Sequence, residues 1–303
     1  MSTGTDTTQV ETDGKRYVRP PGLDLAVRVA TATSRPLLLF GAPGSGKSSL
    51  AKNIAYRDDL RYYEHVVTAR TSARDLLWSF DSVRRLGDAQ LKVRDWRDDD
   101  YVTPGVLWWA FDRASALTFK RAKEPHPSWN TGERRRPGAV VLIDEIDKAD
   151  PDVPNSLLVP LADRLFTVTD LSEAREVREV ADPRCLIVIT SNQERELPPA
   201  FVRRCVVHEL EPHDEPTLRK IAESHVGRDR RYPLDHLIRK LQDARKQARA
   251  DQRRQPSTAE FIDAIRACLG EGIESTTHLD LDPILKMIFE KDAGTGAAPG
   301  WSP

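Results

Sequence analysis

What the chain lacks narrows its class first. Three cysteines, Cys185, Cys205 and Cys268, stand among 303 residues, odd in number and in no metal-ligand spacing. That excludes a disulfide framework and leaves buried thiols of a cytosolic protein as the expectation. No apolar run approaches the ~20 residues of a membrane-spanning helix. Residues 1–16, MSTGTDTTQVETDGKR, lack the apolar core of a signal peptide, so a cytoplasmic protein is expected. An excess of one charge is missing too: 46 Lys and Arg stand against 47 Asp and Glu, a net charge of −1. No chain-wide field therefore draws the protein to nucleic acid or to an anionic membrane. There is no internal repeat. What remains is 39% hydrophobic and 31% charged residues, a composition for a sizeable core under a heavily charged surface. The length accommodates two domains.

One stretch organises the rest. Residues 37–55 read LLLFGAPGSGKSSLAKNIA. Leu37 to Phe40 have the length and character of a buried strand, and Leu50, Ala51, Ile54 and Ala55 recur at helical spacing. Between them lies G-x-x-x-x-G-K-S, the phosphate-cradling loop between strand and helix. Gly41, Ala42, Pro43, Gly44, Ser45 and Gly46 curl the backbone so that successive N–H groups face an anion. The helix that opens at Lys47, Ser48 and Ser49 adds its positive end. Lys47 would reach the β- and γ-phosphates, and Ser48 would offer its hydroxyl to Mg²⁺.

Strand and helix patterns alternate from there to about residue 211, which predicts a parallel α/β sheet. Residues 1–16 are Thr-, Asp- and Gly-rich and are expected to be disordered. Leu23–Ala32 reads as a helix with Leu25, Ala26, Val29 and Ala30 on one side. Strands are expected at 62–68, 139–143, 186–190 and 205–210. Residues 81–103 read as a small insertion projecting from the domain as a hairpin. The helix after Pro104 and Gly105 carries Leu107, Trp108, Phe111 and Leu117 as core. Residues 120–137, polar and proline-rich, read as a long exposed basic loop. From 212 strand signals stop and four helical patterns follow to 292, a small all-helical domain. The tail 293–303 is expected to be disordered.

Two further stretches carry chemistry. VVLIDE at 140–145 is an apolar strand that delivers two carboxylates to the carboxyl edge of a parallel sheet. Asp144 would hold Mg²⁺, and Glu145 would orient and deprotonate a water for attack on the γ-phosphate. A kinase of small molecules would not need that second carboxylate. In LIVITSNQERELPPAFVRRC at 186–205, Asn192 ends a buried strand, where it can touch the γ-phosphate or the attacking water. Arg203 and Arg204 follow a short helix, on a surface from which a guanidinium could reach a neighbour's nucleotide.

With these motifs in this order, residues 20–290 resemble the AAA+ ATPases: Walker A at 41–48, Walker B at 140–145, sensor 1 at Asn192, an arginine finger at 203–204, and a helical lid. LIDEIDKADPDVPNSLLVPLAD and TPGVLWWAFD are similar to the MoxR group and its dynein-related neighbours, and 81–103 sits where that group carries an insertion within helix 2. The resemblance implies a P-loop NTPase core with a lid, ATP and Mg²⁺ as ligands, and a ring, expected to be a hexamer, with nucleotide at subunit interfaces. Lys47, Ser48, Asp144, Glu145 and Asn192 would act in cis. Arg204, with Arg203 as alternate, would act in trans. The sequence departs from the family in the lid, where PSTAEFIDAI puts Ala259 or Glu260 at the place of the sensor 2 arginine; Arg253 and Arg254 are candidates to replace it.

The leading expectation is a MoxR-like ATPase that remodels or activates a partner protein. By resemblance that partner is a client or a protein with a von Willebrand factor A domain. One alternative is an ATP-gated scaffold in signalling or defence with little hydrolysis. The other is an NTPase associated with nucleic acid, like McrB, whose sole support is the Arg-rich stretch at 228–254. Ion pairing on helices explains that stretch as well.

Overall fold

The computed structural model describes residues 5–20, 22–92, 96–130, 137–180, 185–227, 232–273 and 281–289. Two compact units emerge. The first comprises Met1–Lys15, Pro21–Gly41 and Lys47–Leu210, the second Arg16–Pro20, Ala42–Gly46 and Glu211–Pro303. The expected disordered tail at 293–303 lies outside the described residues.

The first unit is α/β. It begins with α1 (Thr5–Arg16) and α2 (Leu23–Thr33), then β1 (Leu37–Phe40), α3 (Lys47–Asp58) and β2 (Arg61–Val66). Next come α4 (Ala73–Leu77), β3 (Trp78–Phe80), α5 (Ser82–Gln90), β4 (Val102–Pro104), α6 (Val106–Phe111), α7 (Arg113–Ala116) and α8 (Pro127–Asn130). After β5 (Ala139–Asp144) follow a 3-10 turn at Ile146–Lys148, α9 (Asp152–Ser156), α10 (Leu158–Asp163), β6 (Leu165–Val168) and β7 (Arg175–Arg178). The unit closes with β8 (Leu186–Ser191), α11 (Pro199–Val202) and β9 (Val206–Glu209).

Five strands form one parallel sheet in the order β2-β5-β8-β1-β9. β5 and β8 read as unbroken apolar, β-branched runs because both faces are covered, and every residue of β8 is buried. Trp108, Trp109 and Phe111 of α6 pack in the same core cluster as Val141, Ile143, Ile187 and Ile189. A large aromatic lost from such a site costs roughly 3–5 kcal/mol, so the aromatic run of α6 serves packing.

Several expectations change on this frame. The N-terminal segment read as disordered is α1. Val10 is 2% exposed, and the Gly14 carbonyl accepts from Asn53 Nδ2 at 2.6 Å. A Cβ at Gly14 would fall 2.7 Å from the Lys52 carbonyl oxygen, so glycine lets α1 lie directly on α3. Composition misses this, because the contacts that hold the segment, among them the Gly14 backbone on α3 and an Asp13–Lys52 ion pair at 3.3 Å, join residues far apart in sequence. On α2 the buried stripe is Leu23, Ala26 and Ala30, while Leu25 and Val29 are exposed. The insertion at 81–103 is no hairpin: α5 and a 3-10 turn at Asp98–Tyr101 lie between β3 and β4, which pair antiparallel and close it at its base. The helix after Gly105 breaks at Asp112, whose carboxylate accepts Ser115 N–H at 2.9 Å and starts α7, leaving Leu117 exposed.

The loop at 120–137 is not simply exposed either. Asn130 is buried, and its amide accepts from Tyr62 N–H at 2.8 Å and donates to Tyr62 C=O at 2.9 Å. It thus supplies the sheet's edge strand with the partner a sixth strand would give. Residues 131–136 of that loop, with its basic run, lie outside the described residues.

The second unit's helices are α12 (Glu215–Val226), α13 (Leu234–Ala250), α14 (Thr258–Gly270) and α15 (Leu281–Phe289). Leu218, Leu237, Leu241, Phe261, Ile265 and Leu285 meet in its core. Ser257 and Glu260 form a capping box at the start of α14: Glu260 N–H donates to Ser257 Oγ at 3.2 Å, and Ser257 N–H to Glu260 Oε2 at 2.8 Å.

Candidate active site

β1, β5 and β8 end at the same carboxyl edge of the sheet, where open α/β sheets form their ligand crevices. Registers pair Phe40 with Ser191 and Ile143 with Ile189, so Asp144 comes level with Thr190. β8 lies between the other two strands, and Asn192 follows it directly.

Side chains there form a continuous network. Lys47 is buried; its Nζ donates to Gly41 C=O at 2.6 Å and to Asn192 Oδ1 at 2.7 Å. Burial pushes the Lys47 pKa down, and the charges of Asp144, Asp147 and Glu145 oppose that. Ser48 Oγ donates to Asp144, lying 2.8 and 2.9 Å from its two carboxylate oxygens. The Thr190 hydroxyl donates to Asp144 Oδ1 and accepts Glu145 N–H at 2.9 Å. Glu145 needs that tether. Its backbone is left-handed at φ 60°, ψ 47°, a conformation that costs a non-glycine residue roughly 1–3 kcal/mol. Its carboxylate accepts from Lys148 Nζ at 2.7 Å and, more loosely, from Asn192 Nδ2 at 3.4 Å. Asp147, 2% exposed, accepts the N–H groups of Asn192 at 3.1 Å and Glu194 at 2.9 Å through one oxygen.

Lys47, Ser48, Asp144, Glu145 and Asn192 are thus brought together, with Ser49 in the first turn of α3. Thr190, Asp147 and Lys148 belong to the same network and were not singled out from the sequence. The signals were faint: a threonine inside an apolar strand, and Asp and Lys directly after the carboxylate pair.

The Ser48 hydroxyl and Asp144 carboxylate are hard oxygen donors in contact. Among the described residues no group of three or more His, Cys, Asp or Glu could hold a metal alone. One carboxylate and one hydroxyl fit Mg²⁺, which completes its shell with waters and substrate phosphates.

The loop residues Ala42–Gly46 fall in the second unit. Gly44 has φ 73°, its carbonyl accepts Ala259 N–H at 3.3 Å, and a Cβ on it would lie 2.7 Å from Ser257 Oγ. Gly46 has φ 94°, with the Tyr17 ring 3.0 Å from where its Cβ would be. Ser45 N–H returns to Ala42 C=O at 3.2 Å and closes a turn that has Pro43 at its second position. At the start of α14, Ala259 and Glu260 occupy the expected arginine position. The candidate replacements are engaged by carboxylates, Arg253 with Asp251 at 2.6 Å and Arg254 with Glu260.

Arg203 and Arg204 are exposed after α11 and share no hydrogen bond with the Lys47 network among the described residues. They line a cavity of about 390 Å³ with Arg35, Phe201 and Leu158. The Arg35 guanidinium donates to the carbonyls of Arg203, Arg204 (3.1 Å) and Cys205 (2.9 Å), fixing the backbone that presents both arginines.

Comparison with known proteins bears on this arrangement. The family model described as AAA domain (dynein-related subfamily) matches residues 36–205. Over 59 residues the chain is 46% identical to the mitochondrial chaperone protein ClpB4 of Arabidopsis thaliana, a match covering 20% of this chain and 6% of that one. A crystal structure from Cytophaga hutchinsonii, described provisionally as an ATPase, aligns with TM-score 0.44 and 14% identity over 94% of this chain and 86% of that one. A variant of Thermotoga maritima RuvB aligns with TM-score 0.37 and 15% identity over 88% and 75%.

Proposed function

The chain belongs to the AAA domain family, in its dynein-related subfamily, and from this we propose that it hydrolyses ATP with Mg²⁺ and uses the cycle to remodel or activate a partner protein, as a MoxR-like member. The observation that carries the reading is the tethered Glu145, with its carboxylate 3.4 Å from Asn192 Nδ2 and Asn192 Oδ1 2.7 Å from Lys47 Nζ. A base, a polar orienter and a phosphate-binding cation stand in one connected line.

Each residue then has a task. Lys47 and the N–H groups at the start of α3 hold the β- and γ-phosphates. Ser48 and Asp144 would hold Mg²⁺, which when bound neutralises charge developing on the phosphoryl oxygens. Asn192 fixes the attacking water, and Glu145 takes its proton. Arg204, or Arg203 beside it, reaches a neighbouring copy's γ-phosphate, which makes a ring of this chain the working form. A client or a protein with a von Willebrand factor A domain is the partner that resemblance suggests. ATP turnover at rising protein concentration tests this reading. Glu145→Gln should keep nucleotide binding and lose ~10²–10⁴-fold in turnover, the usual worth of a general base. Comparable turnover in that variant would refute the assigned mechanism.

One observation favours the ATP-gated scaffold as second reading: Ala259 and the capping Glu260 stand where a lid arginine is expected, and Arg253 and Arg254 are paired with carboxylates. Tight binding without turnover at any protein concentration would select it.

A further inference from the structure

Lys148 has no part in the mechanism above, yet it makes the shortest contact to the side chain of the residue on which that mechanism turns. It ends the 3-10 turn Ile146–Lys148, and its Nζ lies 2.7 Å from Glu145 Oε2. The two side chains are 40% and 29% exposed, and an ion pair so open to water adds little to stability. Its geometric consequence is larger. Glu145 has two cations nearby: Lys148 pairs with it directly, and buried Lys47 is linked to it through Asn192, whose Oδ1 accepts from Lys47 Nζ at 2.7 Å. A carboxylate drawn to Lys47 would occupy the ammonium that must hold phosphate. A carboxylate held by Lys148 through Oε2 keeps Oε1 on the side of Asn192, whose Nδ2 is 3.4 Å away.

We propose that Lys148 is a positioning residue, which anchors Glu145 Oε2, keeps the carboxylate off Lys47, and leaves Oε1 as the oxygen that accepts the proton of the attacking water. The proposal rests on the reading of Glu145 as base. In the step it serves, a water O–H bond breaks and its proton passes to Oε1. The water oxygen bonds to the γ-phosphorus, and the bond to the β,γ-bridging oxygen breaks, its electron pair leaving with ADP. Two other carboxylates, Glu194 and Asp147, act on Lys148 through their charge, but among the described residues Glu145 alone pairs with its Nζ.

The test uses the full chain, with steady-state ATP hydrolysis and binding of a fluorescent ATP analogue. Lys148→Met should lower kcat by ~10-fold through loss of base orientation, and Lys148→Arg should restore most of it. Lys148→Met should also weaken nucleotide binding several-fold, as Glu145 turns to Lys47. In a Glu145→Gln background, which has no carboxylate to turn, the same change should leave binding unaltered. Full activity in Lys148→Met overturns the proposal. So does a kcat loss that Lys148→Arg fails to restore, or a binding loss that persists beside Glu145→Gln. If Glu145→Gln itself turns over ATP normally, the base reading falls and takes this one with it; if Glu145→Gln is inactive and Lys148→Met is not impaired, only the role of Lys148 falls. The binding cycle reads the Lys148–Glu145 coupling even where turnover is slow.

Discussion

The hydroxyl of Thr190 accepts the backbone N–H of Glu145 at 2.9 Å. Through this bond the penultimate residue of a buried strand sets the backbone of the candidate base. The same hydroxyl donates to Asp144 Oδ1, so one oxygen atom positions both Walker B carboxylates.

Thr190→Val keeps the volume of the side chain and removes both bonds. It leaves the part-buried Glu145 N–H without its acceptor, at a cost of up to about 1 kcal/mol, near the low end for an unpaired donor. The left-handed backbone at Glu145 then loses the contact that holds it. We expect turnover to fall at least tenfold at saturating nucleotide, with a higher Mg²⁺ requirement because Asp144 is no longer oriented. Thr190→Ser, which restores the hydroxyl, should recover most activity. ATPase assays across a Mg²⁺ titration check both variants, and an unimpaired Thr190→Val would show that the tether is idle.

Such contacts mark the limit of what the sequence disclosed. Strand, loop and helix around Lys47 were legible because glycine spacing and an apolar run are local signals, and β5 and β8 were legible because both their faces are buried. The residues that couple those elements were not. Thr190 reads as another β-branched strand residue, and Asp147 and Lys148 as turn polarity, until register places Asp144 beside Thr190 and Asn192 beside Asp147. α1 was hidden for a related reason: its fixing contacts, Gly14 with Lys52 and Asn53, are 38 and 39 residues apart in sequence. Leu117 and Leu25 misled in the opposite direction, since helical periodicity assumes an unbroken helix with one buried face.

Gly44 combines two demands. Its φ of 73° is strained for any other residue, and a Cβ would lie 2.7 Å from Ser257 Oγ and 2.8 Å from Ser257 Cβ. Moving the hydroxyl aside therefore does not relieve the contact. Gly44→Ala should destabilise the protein by roughly 1–3 kcal/mol from backbone strain alone, and should weaken nucleotide binding because the loop N–H groups turn. Thermal melting and nucleotide titration read the two effects separately. A variant with unchanged melting temperature would contradict the close approach of Gly44 to Ser257.

His213 gives stability a dependence on mild acid. Burial, with the positive charge of Arg245, pushes its pKa below the ordinary 6.5, and Asp214 offsets this only in part. Burial acts in the same direction on His65, opposed by Asp75. The fold therefore prefers both rings neutral, while the unfolded chain protonates them at about 6.5. Their contribution is fully present above that pH and is lost as pH falls from there toward the depressed folded values, because the unfolded chain takes up protons first. Urea midpoints should be lower at about pH 5.5 than at about pH 7.5, well above the range where carboxylates titrate. His213→Gln should flatten the difference in part; equal midpoints at both pH values would count against the buried neutral rings.

Asp147 offers the sharpest separation of charge from hydrogen bonding. Its Oδ2 accepts from the N–H groups of Asn192 and Glu194, while its Oδ1 is buried with no hydrogen-bond partner among the described residues. Asp147→Asn can place its carbonyl oxygen where Oδ2 stands and keep both bonds, with its NH₂ in the other position. Asp147→Ala strips two backbone donors of a charged acceptor, each worth roughly 1.5–3 kcal/mol. The alanine variant should therefore unfold at clearly lower temperature and lose turnover, since the segment carrying Asn192 is no longer pinned to the turn after Glu145. The asparagine variant keeps both backbone bonds and should lose clearly less stability than the alanine variant, its loss being that of an NH₂ placed where Oδ1 has no partner. It also removes one of the three negative charges opposing the effect of burial on Lys47, which leaves Lys47 less compensated and freer to attract phosphate. Nucleotide binding in Asp147→Asn should accordingly be as tight as in the unaltered chain or tighter, even where turnover drops. Melting temperature and nucleotide affinity measured on both variants decide the matter: equal losses of stability would mean that the carboxylate charge, and not its two backbone bonds, holds Asn192 in place.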